Sequence, residues 1–467
     1  MAINKNDKID EYSNKKGALY SLAGFTDVEL GNLFSFLIFT FYFTVVGLNV
    51  NYITLAFIIW SIWNAINDPL LGSLSDKTSS KWGRRKPYII AGLYPLIIIN
   101  ILLWTPPLGS SQLIIFLYFL VIIVLWEFFY TMWNLNQTAL FPELFRDLDQ
   151  RARANTLVQF LQIISLLIVF ILPSFFIPQY DDPQYYTNYM YAAIVISIIA
   201  TISGTIFIKF GFKERIEFSK EYEQAPSFLN SLRYTFKNKS FRKYIVATFA
   251  LWYAFAMLPT ITPLYGSFVL GINSSLILSL FLAIAFISSV IFLFLWKYIL
   301  RKNGAKKTYI YVLIAFIATL APFMFISDMI AALIAYFCIG IGLAGAFIIR
   351  DVTLSAIIDE DELNTGIRRE GSFYGVHGFM IKLTNVFVFI SIALVFNSVG
   401  WAVFDPVGTS EETIFGLRSL MFLFPSFFLV IGLIVFLKFP IDKEKYDLIS
   451  EEARKLHQLK KEKITGF

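Results

Sequence analysis

Twelve apolar segments, each about as long as a membrane-spanning helix, divide this sequence. A helix needs about 20 mainly apolar residues to cross the hydrocarbon core of a bilayer. Segments of this kind lie at 27–47, 52–75, 87–106, 112–140, 155–177, 188–209, 243–269, 275–298, 307–327, 329–356, 372–399 and 417–438. The chain is 57% hydrophobic and 15% charged, whereas a soluble domain carries about 25% charged residues. We therefore predict an all-α membrane protein with twelve transmembrane helices.

Lys and Arg lie on alternate connections between these segments. The connections at 77–86 and 301–307 are basic, whereas the loops at 47–51 and 106–111 contain no Lys or Arg. Cytoplasmic loops carry an excess of Lys and Arg. The pattern predicts a multi-pass protein of the cell membrane with both termini in the cytoplasm.

A long polar link separates six segments from the other six. The predicted division is a cytoplasmic N-terminal tail at 1–26, a first half at 27–209, a cytoplasmic linker at 210–242, a second half at 243–438 and a cytoplasmic tail at 439–467. Two related six-helix halves are the plan of the major facilitator transporters, whose binding site lies between the halves. Twelve helices in another arrangement are the alternative.

The second segment carries three polar residues on one face. Asn64, Asn67 and Asp68 are spaced i, i+3 and i+4, so they point the same way from a helix. A charge at this depth is costly and is therefore a functional candidate. One carboxylate beside two amide oxygens suits a proton or a small cation such as Na⁺. Structural pairing alone is the competing interpretation.

A polar stripe also runs down the fourth segment. Glu127, Thr131, Asn134 and Thr138 follow each other at spacings of four, three and four residues. A buried, unpaired Glu is more stable as the neutral acid, so Glu127 could take up and release a proton. It could equally be the fixed partner of a basic residue.

Further polar residues stand on the first, fifth and eleventh segments. Asp27 and Glu29 open the first segment and could simply be solvated near the cytoplasmic interface. Gln159 lies on the fifth segment. Lys382 lies about ten residues into an otherwise uncharged stretch, where an ammonium needs a carboxylate partner or loses its proton.

Two prolines interrupt the seventh segment. Pro259 and Pro263 each lack a backbone donor, which predicts a broken helix. Irregular backbone at membrane depth tends to line cavities, so we expect a cavity there.

Several motifs resemble those of one transporter family. The stretches are 67–72 (NDPLLG), 75–78 (SDKT), 82–87 (WGRRKP), 141–144 (FPEL) and 365–371 (TGIRREG). Together with Lys382 they resemble the glycoside–pentoside–hexuronide:cation symporters, the melibiose-permease-like members of the major facilitator superfamily. The resemblance covers nearly the whole chain.

The resemblance implies uptake of a sugar or glycoside coupled to Na⁺ or H⁺. The family's cation-coupling positions match Asn64, Asn67, Asp68 and Thr131 of this sequence. Its substrate-binding positions match Asp27, Asn134, Thr138, Gln159 and Lys382. Glu127 is a further substrate-binding candidate, because it could supply the carboxylate that position 134 lacks.

Three positions depart from the family pattern. Position 64 is Asn where sodium-coupled members have Asp, which should weaken Na⁺ binding more than H⁺ binding. Asn134 and Gln159 replace the Asp and Arg of galactoside-binding members. Amides still hydrogen-bond to hydroxyl groups, so a sugar or polyol fits better than a galactoside in particular.

Charged residues on the basic connections are candidates for a cytoplasmic gate. Ion pairs that form in only one state are what alternating access requires. The candidates are Asp76, Arg84, Arg85 and Lys86 in the first half, and Arg350, Asp351, Arg368, Arg369 and Glu370 in the second. Fixing the topology is their alternative role.

Other functions remain as alternatives. The 50 Phe residues would tolerate the tail of a lysolipid or another amphiphile, and an uncoupled facilitator is also conceivable. With two His and one Cys in the chain, metal or thiol enzymology is nearly excluded. We expect a monomer in the bilayer that binds a small-molecule substrate, with no nucleic-acid partner and no cofactor beyond the coupling ion.

Overall fold

The computed structural model describes residues 14–78, 80–145, 148–213, 228–366, 369–407 and 409–465. Within these ranges the chain is helical and has no β-strand. The helices are α1 (Asn14–Thr40, continued by a π-helical turn Phe41–Val45), α2 (Val50–Lys77), α3 (Lys86–Leu102), α4 (Gln112–Leu144), α5 (Leu148–Ile171), α6 (Tyr186–Ile206), α7 (Phe228–Lys237), α8 (Lys239–Phe268), α9 (Ser275–Leu320), α10 (Met329–Thr365), α11 (Glu370–Ser398), α12 (Glu411–Met421), α13 (Leu423–Leu437) and α14 (Lys443–Thr465).

Ten stretches of helix in the described chain are long and apolar enough to cross a bilayer. One of them contains α9, a helix of 46 residues that is broken at Gly304, whose φ of 74° is non-helical. Gly tolerates this conformation because it has no Cβ. Counting α9 as two spans and adding the shorter apolar α3 accounts for the twelve predicted segments. The all-α membrane fold is confirmed.

The chain divides into two compact units. The first comprises Met1–Ile38, Ile62–Ile177 and Tyr185–Ala225, and the second comprises Phe39–Ser61, Pro178–Gln184 and Pro226–Phe467. The boundary at 225/226 falls within the stretch predicted as the central linker, of which 214–227 lie outside the described residues.

In the first unit, close contacts hold α3 against α4 and α6. A Cβ on Gly92 would lie 2.7 Å from the backbone nitrogen of Trp133, so only Gly allows this approach of α3 to α4. Asn100 on α3 donates to Ser197 on α6 at 3.1 Å. These contacts fix the helix that carries most of the polar stripe.

In the second unit, α9 and α10 pack without intervening side chains. A Cβ on Gly340 would lie 2.7 Å from the backbone nitrogen of Ser289, and the Ser288 hydroxyl donates to the carbonyl of Phe337 at 2.8 Å. Glycine and serine at such contacts are typical of helix pairs in membranes, where small residues let backbones approach.

The second unit also includes the connection between α1 and α2. Asn51 and Asn397 donate to each other, at 3.1 and 2.8 Å. The rings of Phe57 and Phe389 stack with centroids 3.6 Å apart. The start of α2 is therefore fixed against α11 by both polar and aromatic contacts.

The predicted start of the first helix is wrong by 13 residues, since α1 begins at Asn14 rather than at residue 27. Apolar side chains before Asp27 extend the helix, and the buried Tyr20 packs against Phe141 and Phe207. Asp27 therefore lies about 20 Å along α1 at 1.5 Å per residue. The solvated interpretation of Glu29 is also wrong, because its side chain is fully buried.

The predicted break at the two prolines is wrong as well. Helix α8 runs through Pro259 and Pro263 with both residues buried. Thr260 and Thr262 donate to the carbonyls of Ala256 and Leu258, at 2.8 and 2.6 Å. Ser and Thr hydroxyls can satisfy backbone groups near a proline, which lets the helix continue here.

The amphipathic helix expected after Pro440 is α14. Its Ile449 and Ala453 are buried, and Lys445 forms an ion pair with Glu360 at 2.5 Å. The tail is thus packed against the end of α10 by an apolar face and a charge pair.

Candidate functional site

Asn64, Asn67 and Asp68 lie on the face of α2 that meets α4. The two Asn side chains are buried, and Asp68 is partly exposed. Their shared face follows from the i, i+3, i+4 spacing.

Glu127 of α4 is the centre of the contacts with α2. Its side chain is 1% exposed. Its Oε1 accepts a hydrogen bond from Nδ2 of Asn64 at 2.5 Å, and its backbone carbonyl accepts one from Nδ2 of Asn67 at 3.3 Å. Both amides of α2 therefore point at one residue of α4.

Thr131, one turn along α4 from Glu127, lies between two carboxyl groups. Its Oγ1 is 2.9 Å from Oδ1 of Asp68 and 3.2 Å from Oε1 of Glu127. We call Asn64, Asn67, Asp68, Glu127 and Thr131 the carboxyl cluster. The structure brings all four cation-coupling candidates together, and it adds Glu127 to them.

The carboxyl cluster has the chemistry of a site for H⁺ or a small cation. It offers two carboxyl groups, two amides and a hydroxyl, which are the hard oxygen ligands that Na⁺ prefers. The Oδ1 atom of Asn67 is buried and has no hydrogen-bond partner among the described residues. A buried acceptor of this kind is costly unless it is satisfied by a ligand or water.

A second polar group joins α1 to α4 in the same unit. Nδ2 of Asn134 donates to Oδ1 of Asp27 at 2.7 Å, and the hydroxyl of Tyr130 also interacts with Asp27. A Cβ on Gly31 would lie 3.0 Å from the Tyr130 hydroxyl oxygen, so Gly31 leaves room for that contact. We call Asp27, Tyr130 and Asn134 the α1–α4 triad.

The structure assigns Glu127 to the carboxyl cluster and not to the residues around Asn134. Of the other substrate-binding candidates, Thr138 is exposed at the next turn of α4 and accepts a hydrogen bond from Nε2 of Gln137 at 3.0 Å. Gln159 is exposed on α5. Tyr130 was missed by the sequence analysis, although its place between Glu127 and Asn134 in the stripe was the available signal.

Lys382 belongs to the second unit, where it is partly buried on α11. A charge pair lies on α10 of that unit. Arg350 donates from Nε and Nη2 to both oxygens of Asp351, at 2.9 and 3.0 Å, and lies 5.7 Å from the ring centre of Trp252. Arg350 is 15 residues before the end of α10 at Thr365, or about 22 Å at 1.5 Å per residue.

The remaining gate candidates lie around the connections. Arg84 and Arg85 are buried and Lys86 is partly buried. Arg369 donates to both oxygens of Asp361, with its shortest contacts at 2.8 Å. Asp361 was missed by the sequence analysis, because its partner stands eight residues away across the end of α10.

Three gate candidates are untested. The side chains of Asp76, Arg368 and Glu370 lie outside the described residues.

The membrane spans and the buried polar site define an integral membrane transporter. The family described as MFS/sugar transport protein (MFS_2) matches residues 19–443. The chain belongs to this family, which confirms the resemblance to the glycoside–pentoside–hexuronide:cation group of the major facilitator superfamily.

Relatives of similar length are transporters. An uncharacterised symporter of Synechocystis sp. is 24% identical over 94% of this chain and 96% of that protein. The sodium-dependent lysophosphatidylcholine symporter 1 of Gallus gallus is 23% identical over 95% of this chain and 89% of its own. A putative sulfoquinovose importer of Salmonella typhimurium is 24% identical over 88% and 86%.

Solved structures share the fold. The nucleoside transporter NupG has a TM-score of 0.66 at 14% identity and covers 91% of this chain and 100% of its own. A D-xylose-proton symporter has a TM-score of 0.62 at 14% identity and covers 92% and 97%. At this identity the likeness is one of architecture.

Proposed function

We propose that this protein is a proton-coupled symporter that moves a sugar or a similar hydroxylated solute by alternating access. The observation that carries the proposal is the position of the Thr131 hydroxyl between the carboxyl groups of Asp68 and Glu127.

Hydrogen-bond counting supports a proton at this position. A threonine hydroxyl has one hydrogen to donate and can accept. If Thr131 donates to Asp68, its contact with Glu127 is a hydrogen bond only when Glu127 carries a proton and donates. Two nearby acidic groups also avoid carrying two charges at once. The pair is therefore suited to bind one exchangeable proton.

The α1–α4 triad is the proposed substrate-binding group. It offers a carboxylate, an amide and a phenol hydroxyl, all of which hydrogen-bond to sugar hydroxyls. Thr138 and Gln159 are exposed and extend the same role. Relatives named as a putative sulfoquinovose importer and a putative 2,3-dihydroxypropane-1-sulfonate exporter support a hydroxylated solute.

The second unit contributes Lys382 to substrate binding in this proposal. Arg350, Asp351, Arg369 and the basic residues at 84–86 serve the gate. The basic connections face the cytoplasm, as the distribution of Lys and Arg indicates.

Sodium coupling is the second candidate, and two observations favour it. Glu127 restores the second carboxylate that Asn64 lacks, so the loss of charge at position 64 does not by itself exclude Na⁺. The unpartnered Oδ1 of Asn67 is a further oxygen ligand. Relatives named as sodium-dependent lysophosphatidylcholine symporters also keep an amphiphilic substrate as an alternative.

The test is uptake of labelled sugars by the purified protein in proteoliposomes. An inward H⁺ gradient, an inward Na⁺ gradient and no gradient are compared, and Asp68→Asn is measured beside the wild type. We expect one sugar to accumulate above equilibrium under the H⁺ gradient alone, and accumulation to be lost in Asp68→Asn.

Glu412→Gln is the matched control, since it neutralises an exposed acid at the start of α12. It should accumulate the sugar like the wild type. Accumulation under Na⁺ alone would replace the coupling ion. Failure of every sugar under all gradients would overturn the sugar assignment, and lysolipids would then be tested in the same vesicles.

A further inference from the structure

Glu29 of α1 is a buried carboxyl group that the proposed mechanism does not use. Its side chain is 0% exposed, and both of its oxygens lack a hydrogen-bond partner within the part of the chain that the structure describes. A carboxyl group in water is ionised at neutral pH. In an environment without water or a partner, the ionised form is strongly disfavoured.

Contacts on either side of Glu29 show which helices cover it. The Ser165 hydroxyl of α5 donates to the carbonyl of Phe25 at 2.8 Å, and Thr26 is hydrogen-bonded to Ser203 of α6 at 2.6 Å. Further along α1, Phe36 packs edge-on against Phe170 of α5. At 100° per residue, Phe25, Thr26, Glu29 and Phe36 lie within an arc of about 100°. Glu29 therefore faces α5 and α6.

The α1–α4 triad lies on the other side of α1. Asp27 meets Asn134 and Gly31 meets Tyr130, both on α4. The centres of the two faces are about 160° apart by the same helical period. Glu29 is thus separate from the carboxyl cluster and from the α1–α4 triad.

The helices that cover Glu29 supply no charged partner. Between Arg153 and the end of α5, and between the start of α6 and Lys209, the sequence has no Asp, Glu, His, Lys or Arg. The titratable groups of α6 are three tyrosines near its start: Tyr186, which donates to the carbonyl of Pro106, Tyr189, which stacks on Trp104, and Tyr191, which is exposed.

The titratable neighbours on α1 are likewise committed or remote. Tyr20 donates to the carbonyl of Gln137 at 2.8 Å, Asp27 is bound to Asn134, and Lys16 lies 13 residues before Glu29.

We propose that Glu29 is a second proton-binding residue, which carries a proton in this conformation and exchanges it during the transport cycle. The proton resides on a carboxyl oxygen and leaves to water. Because both oxygens are sealed between α1, α5 and α6, release requires these helices to open. Proton binding and this conformation then stabilise each other by linkage. The part of the proposal that concerns transport rests on the proton coupling proposed above, whereas protonation of Glu29 does not.

Infrared difference spectroscopy of the purified full chain in lipid tests protonation directly. The spectrum of Glu29→Gln is subtracted from that of the wild type at neutral pH. We expect the wild type to show the C=O stretching band of a protonated carboxylic acid, and the variant to lack it. Carboxylate bands in the difference spectrum would overturn the proposal.

Folding is controlled by thermal unfolding of both proteins. Gln has the size of a protonated Glu, so the two should unfold together. If Glu29→Gln unfolds early, Glu29→Asp takes its place, and an acid band at a shifted frequency is expected. Absence of an acid band from that spectrum would likewise overturn the proposal.

Transport measurements test whether the proton is exchanged in the cycle. Glu29→Gln should retain sugar exchange at equilibrium, while accumulation driven by one unit of pH gradient falls about tenfold, the effect of losing one of two coupled protons. Accumulation equal to that of the wild type and of Glu412→Gln would show that the Glu29 proton takes no part in transport. If the wild type shows no H⁺-driven accumulation, the symport proposal fails while the infrared result on Glu29 stands.

Discussion

Asn64 on α2 donates a hydrogen bond from Nδ2 to Oε1 of Glu127 on α4, at 2.5 Å. An amide therefore stands on α2 where the resembling sodium-coupled symporters have an acid, and an acid faces it from α4. The contact explains how the site keeps two carboxyl groups although the α2 motif has one.

Exchanging these two groups tests whether the position of the charge or its number matters. Glu127→Gln and Asn64→Asp each change the charge of the carboxyl cluster by one, so we expect each to lower gradient-driven accumulation at least about tenfold, as loss of a hydrogen bond to a charged group does. The double variant restores one acid and one amide in exchanged positions. It should recover most of the activity, and purely additive losses would contradict the pairing.

Thr131 offers a test of the bridging hydroxyl. Thr131→Val keeps the shape of the side chain and removes its hydroxyl, while Thr131→Ser keeps the hydroxyl. Because Asp68 and Glu127 both contact this oxygen, accumulation driven by H⁺ should fall at least about tenfold in the Val variant. Transport by Thr131→Ser should stay near the wild-type rate. Equal activity of both variants would show that the hydroxyl is dispensable.

The mutual contact of Asn51 and Asn397 allows a cross-linking test of alternating access. Asn51→Cys and Asn397→Cys are combined in a Cys338→Ser background, which removes the native cysteine. If α2 and α11 separate at this end during the cycle, oxidation should abolish uptake and reduction should restore it. Each single Cys variant serves as the control. Full uptake by the cross-linked protein would contradict movement at this contact.

Gly340 tests the packing of α9 on α10. A Cβ there would meet backbone atoms of Ser289 at 2.7 Å and the Ser288 hydroxyl. Overpacking of this kind costs roughly 1–3 kcal/mol, so Gly340→Ala should lower the unfolding temperature of the protein in detergent. At Gly375 no atom lies within 4 Å of a new Cβ. Gly375→Ala should therefore unfold at or above the wild-type temperature, and equal effects at both positions would count against the close packing.

Part of the site could be predicted from spacing alone. Asn64, Asn67 and Asp68 share a face by helical periodicity, and the structure confirms that this face meets Thr131. The role of Glu127 could not be read in this way, because periodicity gives the direction of a side chain and not the helix it meets. The same limit applies to Glu29, which stands two residues from Asp27 and yet faces different neighbours.

Errors in the helices have local causes. The acids at 27 and 29 suggested that α1 starts there, whereas the aromatic packing of Tyr20 extends the helix to Asn14. The prolines of α8 suggested a break, whereas threonine hydroxyls and complete burial keep the helix continuous.

The sequence by itself determined the solvent and the class of this protein. Twelve apolar segments must be helical in lipid, because a helix satisfies its own backbone hydrogen bonds where no water can. The motifs between the segments were enough to place the chain among cation-coupled transporters. Only the tertiary structure decided which buried acids share a site. Asp68 and Glu127 come together because α2 and α4 pack side by side, while Glu29 is sealed against α5 and α6, and such contacts between distant segments depend on three-dimensional packing that no local pattern encodes.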